Sequence, residues 1–139
     1  MTIEFNTPAE AFIAVAWAVC TADKCGTKEE RDYLYEQVRH LDIFEHCDRV
    51  EFGNLMGLAY NKIFHTLPCE ESALTDEGIE CLIQAVNKIL TPNQRVEVFR
   101  MACGLAGADT VSEREGALLE RLRDGFWIDP EVAKGILGG

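Results

Sequence analysis

The sequence lacks a long hydrophobic run, a basic patch and every common catalytic signature. Its most apolar stretch, Ala11 to Cys20, falls far short of the ~20 residues that a membrane-spanning helix needs. Membrane insertion is therefore not expected. With 4 Pro and no low-complexity segment, no linker long enough to separate two domains is visible. A chain of 139 residues suits a single domain, 1–139, with one core. Basic residues number 13 against 24 acidic ones, a formal charge of −11. Such a surface repels phosphate backbones and anionic membranes, which excludes nucleic acid as a partner. Cations and basic protein surfaces suit it better. There is no G-x-S-x-G, Walker A, H-E-x-x-H or G-x-G-x-x-G, and the 3 His have no evident nucleophile partner. The expectation is a protein that is not an enzyme, with no catalytic residues.

No C-x-x-C pair occurs among the six cysteines at 20, 25, 47, 69, 81 and 103. The opening residues Met1 to Asn6 show no positive region ahead of an apolar run, so a cytoplasmic location with reduced thiols is expected. His46-Cys47 and His65-x3-Cys69 would supply enough ligands for zinc, although the spacing fits no common zinc module. Cys25 lies between Lys24 and Gly26, where a neighbouring positive charge favours the thiolate.

What is present reads as helix. Thr7-Pro8-Ala9-Glu10 is a helix start: Thr7 can accept from an orphan N–H, Pro8 has none to lose, and Glu10 can reach back to the cap. The following helix, to about Ala22, is apolar nearly all round and belongs at the centre of a bundle. Thr27-x-x-Glu30 opens an amphipathic helix with Leu34, Val38 and Leu41 on one face. A third helix runs from about Asp48 to Thr66; its Gly53 and Gly57 share a face and would permit close helix contact. Residues 67–72 read as a loop. Thr75 caps a helix with Leu82, Val86, Ile89 and Leu90 on its apolar side. Thr91-Pro92-Asn93-Gln94 repeats the opening signal, Ser112-x-x-Glu115 is a further capping box, and Asp129-Pro130-Glu131 starts a short last helix.

Residues 7–41 and 91–125 follow the same order: cap, apolar helix, Ala-Asp, cap, amphipathic helix. Thr7-Pro8 matches Thr91-Pro92, Ala22-Asp23 matches Ala108-Asp109, and Thr27-x-x-Glu30 matches Ser112-x-x-Glu115. The second copy has two extra residues before its Asp. An all-α, single-domain helical bundle of about seven helices follows, with two helical hairpins in pseudo-two-fold relation. Each hairpin loop brings an Asp toward a Glu, a hard oxygen pair suited to Ca²⁺, Mg²⁺ or Mn²⁺. The same Glu also serves as a capping residue and the Asp as a turn residue. An EF-hand is excluded: counted from Asp23, loop position 6 is Lys28 and position 12 is Leu34.

The segments Ala22-Asp23-Lys24-Cys25-Gly26-Thr27-Lys28-Glu29-Glu30 and Ala108-Asp109-Thr110-Val111-Ser112-Glu113-Arg114-Glu115 resemble the TerB family. That family comprises the tellurite-resistance TerB proteins and relatives such as the N-terminal region of the co-chaperone DjlA. Lys24-Cys25 and Thr110-Val111 stand where the family has Gly and an acid. The resemblance implies a helical bundle of two similar halves. It places acidic metal-site residues at Asp23, Glu30, Asp109 and Glu115, with a divalent cation as the expected cofactor. It also implies an accessory role in tellurite- or metal-related stress, exercised through a protein partner. The alternatives are a metal-free helical interaction module and a thiol protein that handles oxyanions through Cys25. The partner's identity and a homo-oligomeric state stay open.

Overall fold

The computed structural model describes residues 4–21, 32, 34–36, 38–41, 44–45, 47–66, 69–70, 73–107 and 113–138. The protein is an all-α helical bundle. Its first helix, α1 (Pro8–Thr21), is followed by helical residues at 32, 34–36 and 38. Then come α2 (Arg49–Thr66), α3 (Asp76–Ile89), α4 (Pro92–Gly107), α5 (Glu113–Gly125) and α6 (Pro130–Gly138). Between α2 and α3, where the sequence reads as a loop, Cys69–Glu70 pairs antiparallel with Ala73–Leu74 over two residues on each side. Two residues are too few to show the period-2 pattern by which a strand is read.

α1 is the central rod. Ala11 through Ala16, Ala18 and Val19 are all buried, as its apolar circumference demands. It packs against α2, α4 and α3. Phe12 meets Phe44 edge to face, and Phe99 and Leu122 complete a continuous core with Leu34, Val38 and Leu82. Each of these large side chains contributes roughly 1.5–3 kcal/mol by leaving water. α4 contacts α5 and α6, and α3 contacts α5.

The helix starts carry the chemistry read from the sequence. The Thr91 Oγ1 accepts from the Gln94 N–H at 3.2 Å while the Gln94 Oε1 accepts from the Thr91 N–H at 2.9 Å, a complete capping box. Thr75 accepts from Gly78, Asp48 from Glu51 and Asp129 from Glu131. α1 and α4 each begin at a proline, Pro8 and Pro92.

Two local expectations fail. Glu10 does not reach back to its cap. Thr7 Oγ1 still accepts from the Glu10 N–H at 3.2 Å, but the Glu10 carboxylate, only 6% exposed, is taken by the Lys62 Nζ of α2. Lys62 also donates to the Glu4 carbonyl at 3.0 Å and lies 5.8 Å from the Phe5 ring centroid. A buried carboxylate needs a cation more than a helix start needs a second cap.

Gly53 and Gly57, expected at a helix contact, are exposed, and nothing lies within 4 Å of where a Cβ would stand on either. They stand on the solvent side of α2, opposite Phe52, Met56, Ala59 and Ile63. Neither has positive φ, so they only loosen the helix. Gly53→Ala and Gly57→Ala should each raise stability by about 0.5–1 kcal/mol, read as a higher urea midpoint. A fall in either midpoint would mean that the face is covered.

Candidate functional site

Of the four residues expected to hold a cation, Asp23, Glu30 and Asp109 lie outside the described residues. Glu115 falls in the first turn of α5, which begins at Glu113. α1 is described as far as Thr21 and α4 as far as Gly107. Among the described residues, no group of three His, Cys, Asp or Glu side chains is placed to hold a metal ion.

Two of the described thiols are equally plain. Cys25 lies outside the described residues, as does His46. Burial, with smaller contributions from the carboxylates of Glu51 and Asp48, raises the Cys47 pKa. Burial pushes the Cys103 thiol up to about 11. Both therefore remain thiols near neutral pH and are poor nucleophiles.

The structure points instead to the end of α5, which the sequence reading passed over. An α-helix leaves its last four carbonyls without intrahelical partners, and here all four find donors. Leu122 O accepts from the Phe126 N–H at 2.9 Å, Arg123 O from Ile128 at 3.0 Å and Asp124 O from Trp127 at 3.3 Å. Gly125 O accepts from the Asn87 side-chain amide of α3 at 2.8 Å. The bonds from Ile128 and Trp127 form a Schellman motif, whose pivot residue takes the left-handed conformation and is usually glycine. Here it is Trp127, with φ of 54°. A bulky residue in that region costs about 1–2 kcal/mol. The side chain held there is 73% exposed, so core packing does not explain it. Its ring has the Arg95 guanidinium 5.2 Å from its centroid.

Trp127 edges a groove of about 700 Å³ between α3 and α5. Ile83 and Asn87 line one wall, and Arg121, Asp124 and Gly125 the other. The helices come close because Gly125 has no side chain: a Cβ there would stand 2.6 Å from Ile83 Cγ2. Arg121 ties the walls together, donating to Asp76 Oδ1 at 2.8 Å and Glu80 Oε2 at 3.3 Å. Asn87 Oδ1 is buried in the wall and accepts no hydrogen bond. Strain held at an exposed aromatic, beside a groove with an unused acceptor, is the kind of feature that marks a binding surface. The sequence offered one clue: Gly125 precedes Phe126-Trp127, a helix end with exposed-sized aromatics and no glycine at the turn.

Among the described helices none is long and apolar enough to cross a membrane. No protein-family model matches the chain, and neither a curated protein nor a solved structure does so.

Proposed function

We propose that this protein is a non-enzymatic helical accessory module, of the TerB-like kind, that works by docking a protein partner at the groove between α3 and α5. The observation that carries this reading is Trp127, strained and exposed at the groove's edge. Large aromatics of this sort anchor protein contacts because they bury much area at little entropic cost. Trp127→Gly tests it. Relief of the left-handed strain offsets the lost stacking on Arg95, so stability should hold or rise by up to about 1 kcal/mol. Tagged protein recovered from its native cells should carry a stoichiometric partner that the variant loses. A partner retained by Trp127→Gly would remove the groove from consideration.

A second reading adds a divalent cation at the repeated hairpins. It is favoured by the recurrence of an Asp ahead of a capping Glu in both hairpin sequences, Asp23 with Glu30 and Asp109 with Glu115, and by the chain's charge of −11. Millimolar Ca²⁺, Mg²⁺ or Mn²⁺ should then raise the melting temperature, and Asp23→Ala or Asp109→Ala should abolish the rise. Identical melting curves with and without cation would leave the docking module alone. Under either reading the role in tellurite- or metal-related stress rests on the family resemblance.

A further inference from the structure

We infer that the groove takes a basic polypeptide segment, with an arginine side chain of the partner laid against the free part of the Trp127 ring. This rests on the docking reading above and names its partner class. Four observations carry it.

The Trp127 ring already stacks one guanidinium, that of Arg95, so its orientation suits cation binding, and 73% of the residue remains open. Aromatic faces attract guanidinium through the ring quadrupole, and Arg95 already makes such a contact on this ring. Next, two of the bases near the groove are paired, while Lys88 and Arg95 have no ion pair among the described residues. Arg121 is held by Asp76 and Glu80, and Arg123 by Asp124. The carboxylates of these pairs stay well exposed, Asp76 at 94% and Asp124 at 75%, with oxygens left to accept from a second cation. Third, the Glu80 carboxylate on the groove stays 59% exposed, and a guanidinium brings five N–H groups, more than any other side chain. Fourth, the whole chain carries −11, which draws basic segments in and turns acidic ones away. Lys88, also on the groove, has no ion pair among the described residues and opposes such a ligand.

The chain has only 2 Trp, so its indole N–H signals in a nitrogen-correlated proton spectrum separate this site from the rest of the surface. Trp17 serves as the internal control, since its indole donates to the Met56 carbonyl at 2.8 Å. The probe is the capped peptide Arg-Leu-Arg-Leu-Arg, with Glu-Leu-Glu-Leu-Glu as its counterpart. The basic peptide should shift the Trp127 signal saturably and leave Trp17 in place. Lys88→Glu should tighten binding several-fold, and Glu80→Gln with Asp124→Asn should weaken it about tenfold. Equal shifts from the acidic peptide would overturn the basic partner class while leaving the docking surface intact. Shifts scattered over the acidic surface with Trp127 unmoved would overturn the inference itself. The docking reading would then still stand or fall on the Trp127→Gly comparison.

Discussion

Lys62→Ala should destabilise the protein by about 3–5 kcal/mol, because it strands a buried carboxylate rather than because it removes a surface charge. Glu10 is 6% exposed, and the Lys62 ammonium is its ionic partner in the structure. The same ammonium holds the Glu4 carbonyl, so the segment before α1 loosens with it. The remaining ion pairs differ in kind. Those of Arg39, Arg49 and Arg123 lie on the surface with both partners substantially exposed, and each is worth at most about 1 kcal/mol. The check is urea unfolding of Lys62→Ala, Glu10→Gln and the Glu10→Gln/Lys62→Met double variant. The double variant should recover much of the loss, since replacing both members of a buried pair by neutral groups removes the stranded charge. Losses that simply add would show that Glu10 reaches water once Lys62 is gone.

Gly125→Ala should cost about 1–3 kcal/mol through overpacking, although glycine to alanine in a helix ordinarily gains about 1 kcal/mol. The added methyl would meet Ile83 Cγ2 at 2.6 Å and Cδ1 at 2.9 Å. Cγ2 is fixed to the β-carbon, so it can retreat only if χ1 leaves its preferred well or the helices part. Parting the helices would also break the Asn87 bond to Gly125 O. Ile83→Ala makes room, at the cost of a cavity. The Gly125→Ala/Ile83→Ala double variant should therefore be more stable than the sum of the single losses by about 1 kcal/mol or more. Additivity to within about 0.5 kcal/mol would mean that the two side chains do not meet.

These two sites also show where reading the chain residue by residue stops working. Capping is local, so Thr7, Thr75 and the Thr91–Gln94 box were legible from residues three apart. The central place of α1 was legible from its lack of a polar face, and the buried Ala11–Ala16 run bears that out. Glu10 fits the capping pattern as well as Gln94 does. What separates them is a lysine 52 positions away, and no local rule reaches that far. Gly53 and Gly57 have the spacing of a contact face, but spacing does not say which side of a helix meets the bundle. Trp127 was missed for a related reason. The turn it occupies usually announces itself by a glycine, and this chain puts its glycine two residues earlier, where close packing on Ile83 requires it. Of the candidate site, only its acidic setting could be read in advance. The groove itself depends on how α3 meets α5.

The central place of α1 also bears on how the chain is made. The helix leaves the ribosome well before one of its main packing partners, α4, which reaches Gly107. At ~5–20 residues per second, a helix apolar on every side waits on the order of ten seconds for that cover. Until α4 arrives, α1 is open to chaperones and to mispairing.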